Sequence, residues 1–148
     1  MKLTNGFDIS SSALTAQRFR MDVISSNIAN ADSTRARMVN GKWVPYQRKL
    51  ISVEAKQPTF EQALKNAQAE TAGEGVRVTR ITEDTSPFKQ VYNPTHPDAD
   101  ENGYVMMPNV DVLKEMVDMI SATRSYEANV TALNASKSLI TKALEIGK

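Results

Sequence analysis

The chain of 148 residues contains no cysteine and a single histidine, His96. Disulfides and thiolate metal sites are therefore excluded, and neither a Cys–His nucleophile nor a zinc site of several imidazoles can form within one chain. The six glycines are scattered, so there is no glycine-rich phosphate loop. We expect no enzymatic activity and no cofactor, and we interpret His96, between Pro94 and Pro97, as part of a rigid turn.

Long apolar runs are also missing. No window approaches the roughly 18 apolar residues that a membrane span needs, and the N-terminus lacks the apolar core of a secretory signal peptide. If the protein leaves the cytoplasm, we expect another route. The formal charge of +1, from 18 basic and 17 acidic residues, gives no electrostatic reason to expect nucleic acid or an anionic membrane as partner. The expected partner is protein.

Two segments near the chain ends carry no charge: residues 23–31 (VISSNIANA) and residues 128–136 (ANVTALNAS). A surface helix normally has a charged face, which these segments replace with Ala, Ser, Thr and Asn. Such residues allow close helix packing and can fix its register through side-chain hydrogen bonds. We favour that role over ligand binding for Ser25, Ser26, Asn27 and Asn30.

Apolar and small residues spaced alternately three and four apart predict a first helix of about 25 residues, with Asp8 as N-cap and an end at residues 32–34. Its first seam comprises Phe7, Ser10, Leu14, Gln17, Met21, Ile24, Ile28 and Ala31. Its second seam comprises Ala13, Ala16, Arg20, Val23, Asn27 and Asn30. Two such faces indicate more than one helical neighbour.

The same spacing predicts a C-terminal helix with Asn109 as N-cap and the acids Asp111 and Glu115 near its positive end. The seam of this helix comprises Met116, Met119, Thr123, Tyr126, Val130, Leu133, Lys137, Ile140 and Leu144. Leu113, Val117 and Ile120 add a second apolar flank, so this helix too can pack on two sides.

Between the helices the hydrophobic period changes to two. Asn40-Gly41 predicts a hairpin turn, and alternation predicts strands at 75–82, 88–92 and 103–107. Residues 57–73 are interpreted as a mobile insertion or a short helix. Trp43 and Tyr46 are interpreted as the small core of the hairpin, with a binding patch as the alternative.

Charge in this middle region is segregated. The basic arm comprises Arg35, Arg37, Lys42, Arg48 and Lys49, and the acidic arm comprises Glu83, Asp84, Asp98, Asp100 and Glu101. The arms are either solvated loops or complementary surfaces of neighbouring copies. Residues 98–103 (DADENG) match the first half of a calcium loop, but position twelve is Asn109 instead of Glu, so we interpret them as a turn.

Four stretches of the chain resemble the bacterial flagellar axial proteins. They are FDISSSALTAQRFRMDVISSNIANADSTR, GVRVTRITEDTSPFKQVYNPTHPDADENGYVMMPNV, EMVDMISATRSYEANVTALNASK and the closing helix to Lys148. Around these stretches the resemblance covers nearly everything except residues 54–73. The SSNIANA segment is typical of rod, hook and hook-associated proteins. The combination of NPTHPDADENGYVMMPNV with MISATRSYEANV resembles the sequences of proteins of the proximal rod of the basal body.

The resemblance implies an α+β fold in which the terminal helices, within 1–34 and 109–148, pair as an antiparallel coiled coil. Residues 35–108 would form a β-rich middle domain with a variable insertion near 54–73. It further implies a structural subunit exported by the flagellar type III apparatus without a cleaved signal. The subunit would polymerise helically with its own copies and other rod proteins into a drive shaft and export channel. A soluble coiled-coil adaptor that closes into a small oligomer is the alternative.

The side chains expected to form the helix-packing and assembly interface lie on both predicted helices. They are Phe7, Leu14, Met21, Ile24, Asn27, Ile28, Asn30, Ala31, Met116, Met119, Ile120, Thr123, Tyr126, Val130, Leu133, Asn134, Ile140 and Leu144.

Overall fold

A computed structural model describes residues 5–57 and 75–146 and has the elements of an α+β protein. The helices are α1 (Asn5–Ala29) and α2 (Val112–Ile146). The strands are β1 (Arg37–Val39), β2 (Lys42–Val44), β3 (Lys49–Ala55), β4 (Val76–Glu83), β5 (Lys89–Tyr92) and β6 (Tyr104–Met107). Most of the interpreted insertion, residues 58–73, lies outside the described residues. No helix within those residues is long and apolar enough to cross a bilayer.

The strands form three two-stranded sheets, β1–β2, β3–β4 and β5–β6. The predicted turn between β1 and β2 is confirmed: Asn40 and Gly41 have φ of 52° and 78°, the left-handed conformation that a tight hairpin turn requires. Met38 pairs with Trp43 across this hairpin. In β5–β6, Tyr92 pairs with Tyr104 in antiparallel register. The predicted strands near 75–82, 88–92 and 103–107 are therefore present with small shifts at their ends.

The first seam of α1 is buried or half-buried at each of its eight positions, as the spacing predicts. Two boundary predictions were wrong. Asp8 lies inside the first turn of α1 instead of capping it. Ala31 lies beyond the last helical residue, Ala29, in the turn where the backbone N–H of Ala31 donates to the carbonyl of Ile28 at 3.2 Å.

The N-cap of α2 is Asp111, so the prediction of Asn109 was wrong. The carboxylate Oδ1 of Asp111 accepts from the backbone N–H groups of Leu113 at 3.1 Å and Lys114 at 3.4 Å. The backbone carbonyl of Asp111 accepts from the backbone N–H of Glu115 at 2.9 Å. A carboxylate at this position satisfies free N–H groups and interacts favourably with the helix dipole. The side chain of Asn109 instead binds a preceding loop.

The chain divides into two compact units. Unit 1 includes the described residues 5–20, 52–57, 75–80 and 121–146. Its buried side chains are small, namely Ser10, Ala16 and Ala122, as close helix packing requires. The backbone N–H of Val76 donates to Ser12 Oγ at 3.1 Å, and a Cβ at Gly75, where φ is +91°, would collide with that same oxygen. Only glycine fits at position 75.

Unit 2 comprises residues 21–51 and 81–120. Its buried apolar residues are Val23, Ile24, Pro45, Tyr46, Val105, Pro108 and Val110. Tyr46 belongs to this core, but Trp43 is exposed on β2, so the interpretation of the two as one hairpin core was wrong. Among these apolar residues unit 2 also buries two polar side chains, Asn27 and Glu115.

Candidate functional site, a buried polar network in unit 2

The amide of Asn27 is the centre of a buried polar network. Asn27 is 1 % exposed and lies on α1 between the buried Ile24 and the end of the helix. Its Oδ1 accepts from the Tyr46 hydroxyl at 3.0 Å and from the backbone N–H of Lys49 at 2.9 Å. Its Nδ2 donates to the carbonyl of Lys49 at 2.9 Å and to Glu115 Oε2 at 3.0 Å. Both polar atoms of the amide are therefore fully hydrogen-bonded. At Lys49 the amide bonds to the backbone N–H and carbonyl in the way that the backbone of a neighbouring strand would.

Glu115, in the first turn of α2, is also 1 % exposed, and its charge is paired. Arg48 Nε donates to Glu115 Oε1 at 2.6 Å, and Arg48 Nη2 lies 2.6 Å from that oxygen. The guanidinium also lies 3.6 Å from Asp84 and 3.7 Å from Asp118. A buried carboxylate is tolerated when it is paired and hydrogen-bonded, so Arg48 makes burial of Glu115 possible.

Asn109 and Asp84 hold the backbone of this network in place. Asn109 Oδ1 accepts from the backbone N–H of Arg48 at 2.7 Å, while its Nδ2 donates to the carbonyls of Asp84 at 3.2 Å and Ser86 at 3.1 Å. The hydroxyl and backbone N–H of Ser86 donate to the Asp84 carboxylate, at 2.6 and 2.9 Å. These two bonds, followed by the nearby charge of Arg48, lower the pKa of Asp84.

A second cluster joins the loop after α1 to the proline-rich turn. Thr34 Oγ1 donates to Asp98 Oδ2 at 2.8 Å, and Arg35 Nε donates to Asp98 Oδ1 at 2.7 Å. The hydrogen bond from Arg35 and then that from Thr34 lower the pKa of Asp98. His96 Nδ1 accepts from the backbone N–H of Asp98 at 3.1 Å, which confirms that His96 stabilises a turn. Across residues 5–57 and 75–146, no three His, Asp or Glu side chains are arranged to hold a metal ion.

The charged arms pair with each other inside one chain. Three members of the basic arm form ion pairs with three members of the acidic arm: Arg35 with Asp98, Arg37 with Glu83, and Arg48 with Asp84. Arg35, Arg37 and Glu83 remain exposed in these pairs, as expected for solvated loops, whereas Arg48 and Asp84 are largely covered. The alternative, complementary surfaces of neighbouring copies, stays a prediction. Lys42, Asp100 and Glu101 form no ion pair within the part of the chain that the structure describes.

The predicted interface residues differ widely in exposure. Two are buried, Ile24 and Asn27. Twelve are half-buried, namely Phe7, Leu14, Met21, Ile28, Asn30, Ala31, Met119, Thr123, Tyr126, Val130, Leu133 and Ile140. Four are exposed, namely Met116, Ile120, Asn134 and Leu144. Only Asn27 takes part in the polar network.

Sequence reasoning missed five members of the network: Tyr46, Arg48, Asp84, Asn109 and Glu115. One signal was present, because an amide in an uncharged, packed helix needs polar partners. The sequence does not identify those partners, since Glu115 lies 88 positions from Asn27 along the chain. Glu115 was noted only as an acid near the start of a helix.

An apolar stripe along the first turns of α2 remains uncovered. Leu113, Val117 and Ile120 are 77 %, 65 % and 61 % exposed, and Met116 beside them is also exposed. Spacings of three and four residues place these side chains on one face of the helix. Contiguous exposed apolar side chains of this kind are a common feature of interaction sites.

Comparison with known proteins places the chain among flagellar rod proteins. Residues 7–37 match the family described as flagella basal body rod protein, and residues 101–146 match flagellar basal body rod FlgEFG protein C-terminal. The chain is 58 % identical to the flagellar basal-body rod protein FlgC of Bacillus subtilis (strain 168), with all of both chains covered. It is 49 % identical to FlgC of Yersinia enterocolitica, again over both full chains. Identity to FlgC of Borreliella burgdorferi is 45 %, covering 99 % of this chain and 98 % of that protein.

Proposed function

The chain belongs to the FlgC family of flagellar basal-body rod proteins, and from this premise we propose how it acts as a structural subunit of the rod. Copies of the chain polymerise helically with other rod proteins in the proximal rod. The resulting tube acts as drive shaft and export channel between the membrane ring and the distal rod and hook. The role is mechanical and needs no catalysis, cofactor, nucleic acid or membrane span.

The observation that carries this proposal is the apolar stripe of Leu113, Val117 and Ile120. Burying such a stripe against a neighbouring subunit removes apolar surface from water, which favours association. Leu139 and Leu144, farther along α2, are exposed as well. Contacts between different surfaces of successive subunits generate an open helical assembly when the rotation from one subunit to the next does not close a ring.

We also propose that α1 and α2 pair as an antiparallel coiled coil, with the terminal segments 1–34 and 109–148 forming the rod core and 35–108 the outer domain. One contact within each unit supports this pairing. In unit 1, a Cβ at Gly6 would lie 3.5 Å from Ser136 Oγ, and in unit 2 Asn27 bonds to Glu115. Residues farther along α1 thus contact residues nearer the start of α2. The remaining predicted interface residues, Val130 and Leu133 among them, would then face partner helices.

Export through the flagellar type III apparatus, without a cleaved signal, and a location in the periplasm-spanning rod belong to the same proposal. They are supported by the similarity to basal-body rod proteins over the whole chain.

The test is Val117→Asp in a strain that has no other copy of the chain. A carboxylate in a desolvated interface is strongly unfavourable, so we expect at least about tenfold less of the chain in isolated basal bodies and loss of swimming. Because Val117 is largely exposed in the subunit, the free energy of unfolding of the purified chain should change by no more than about 0.5 kcal/mol.

Val117→Thr is the matched control, since it keeps the shape of the side chain and adds no charge. It should retain most of the incorporation. Normal rods and normal swimming with Val117→Asp would contradict the proposal, as would a purified chain that sediments only as a discrete dimer or tetramer.

A further inference from the structure

The two compact units carry opposite net charge. Within the described residues, unit 1 has eight basic and four acidic side chains, a net charge of +4. Unit 2 has seven basic and ten acidic side chains, a net charge of −3 with His96 neutral. Like charges brought together at an interface cost free energy, whereas opposite charges favour the encounter. A contact between unit 1 of one copy and unit 2 of another is therefore favoured over a contact between two like units.

One aromatic side chain is exposed on the basic unit. Phe19, on α1 in unit 1, is 45 % exposed. Arg18 and Arg20 lie on either side of it, each about 100° away around the helix. Both arginines are exposed, and neither forms an ion pair within the part of the chain that the structure describes. Aromatic side chains and arginine are enriched at protein interfaces, so these three residues, here named the phenylalanine patch, have the composition of a contact site.

The apolar stripe of α2, in unit 2, has an acidic edge. Asp111, Lys114 and Asp118 are spaced three and four residues apart, which places them in one row along a side of the stripe. The row contains two carboxylates and one ammonium group. Asp118 lies 3.7 Å from Arg48, whose closer partner is Glu115 at 2.6 Å, and the Asp118 side chain remains 48 % exposed. Its carboxylate is therefore open to a further cation.

The phenylalanine patch and the stripe are complementary in chemistry. The aliphatic side chains of the stripe can cover the phenyl ring, and the long arginine side chains can reach carboxylates at the edge of α2. Two stripes that face each other would instead bring two acidic units together, and two phenylalanine patches would bring their arginines together. Both self-pairings are therefore disfavoured.

We propose that the stripe on α2 of one copy packs against the phenylalanine patch on α1 of the next copy of this chain, with the arginines of the patch facing Asp111 and Asp118. A second copy is the occupant because unit 1 of the same chain carries both the opposite net charge and the exposed ring. The contact joins two different surfaces, so it can repeat along an open assembly. This inference rests on the proposed polymerisation in the rod and names the surface that covers the stripe.

The sample for the test is the assembled basal body. One aromatic ring against a stripe of three side chains falls below the area that holds two proteins together by itself. The contact should therefore form where copies are already concentrated. Each variant is expressed as the sole copy of the chain, and basal bodies are isolated from those cells.

The first arm replaces Phe19 with p-benzoylphenylalanine, an aromatic amino acid that links to nearby C–H groups when irradiated. We expect a cross-linked dimer of this chain, in which mass spectrometry finds position 19 of one copy joined to residues 112–120 of the other. The matched control carries the same amino acid in place of Leu139, an exposed side chain of unit 1. It should give no link to residues 112–120.

A charge arm remains informative if the benzoyl group blocks incorporation. Arg18→Gln with Arg20→Gln should lower the amount of the chain in basal bodies several-fold. Adding Asp118→Asn should cause no further loss, because partners of one contact lose it only once. Arg77→Gln with Arg80→Gln removes the same charge from two exposed positions on β4 in unit 1 and should leave incorporation unchanged.

Several results would overturn the docking. In the first arm they are a link from position 19 to other residues or to a different rod protein, an absence of cross-links in rods that contain the variant, and the same link from position 139. In the charge arm they are unchanged incorporation without Arg18 and Arg20, an additive loss with Asp118→Asn, and an equal loss in the β4 control. Absence of the tagged, unmodified chain from basal bodies would instead contradict the proposed function itself.

Discussion

The two uncharged segments, residues 23–31 and residues 128–136, are similar in composition but differ in what surrounds them. In the first, Val23, Ile24 and Asn27 are buried within unit 2. In the second, every side chain is exposed or half-buried, and none is buried. Sequence similarity between two helical segments therefore does not establish that they pack in the same way.

The difference is clearest for the two asparagines. Asn27 makes four hydrogen bonds, to Tyr46, to both backbone groups of Lys49, and to Glu115. Asn134 is exposed on α2. The subunit thus satisfies the first amide internally, whereas we propose that the second segment, only partly covered within the subunit, is buried when helices of neighbouring subunits pack against it. The first segment stabilises the fold, and assembly is the role that we propose for the second.

The largest expected effect comes from removing the acid on which the first segment depends. Glu115→Ala should remove the shortest ion pair of the largely covered Arg48 and one hydrogen-bond acceptor of the buried Asn27 amide, and cost about 3–5 kcal/mol in the free energy of unfolding. Asp118→Ala removes a half-exposed acid from the same guanidinium and should cost about 0–1 kcal/mol. Urea unfolding followed by circular dichroism measures both. Equal losses for the two variants would show that Glu115 is not the principal partner of Arg48.

A smaller effect tests the two asparagines directly. Asn27→Ala should destabilise the purified chain by about 1–3 kcal/mol, because the backbone of Lys49 and the Tyr46 hydroxyl lose a buried partner. Asn134→Ala should change its stability by less than about 0.5 kcal/mol. Urea unfolding midpoints of the two variants measure this difference, and equal midpoints would contradict the prediction.

The smallest effect concerns the loop that follows the first segment. Arg35 and then Thr34 hold the pKa of Asp98 below its ordinary value, so the unfolded chain binds this proton more readily than the folded one. The stabilisation by Asp98 is therefore complete above about pH 4 and is lost as the pH falls through the lowered pKa.

Replacing Asp98 with Asn should accordingly flatten the fall in the urea midpoint between about pH 4 and pH 2. Part of the slope will remain, because the pKa of Asp84 is lowered as well. Asp100→Asn is the matched control and should keep the slope of the unmodified chain. An unchanged slope with Asp98→Asn would show that the cluster with Arg35 does not form in solution.

Several features could be predicted because they depend on neighbours in sequence. The alternating spacing identified both helices and the buried seam of α1, and Asn40-Gly41 identified the hairpin turn. The N-cap of α2 was misplaced because Asn109 and Asp111 both suit that position. The loop at residues 84–86 and the backbone of Arg48 bind Asn109, which leaves Asp111 to cap the helix.

The sequence by itself determined the helices and the hairpin, since hydrophobic period and turn chemistry depend on residues that are close together in the chain. It also determined the family, since similarity is read from the order of residues alone. Only the tertiary structure decided which polar and charged groups meet. It paired Asn27 with Glu115, joined the two charged arms through arginine–carboxylate pairs, and left Trp43 and the stripe of α2 exposed. The physical reason is that such contacts join residues far apart in sequence, and their geometry arises only when the backbone has folded.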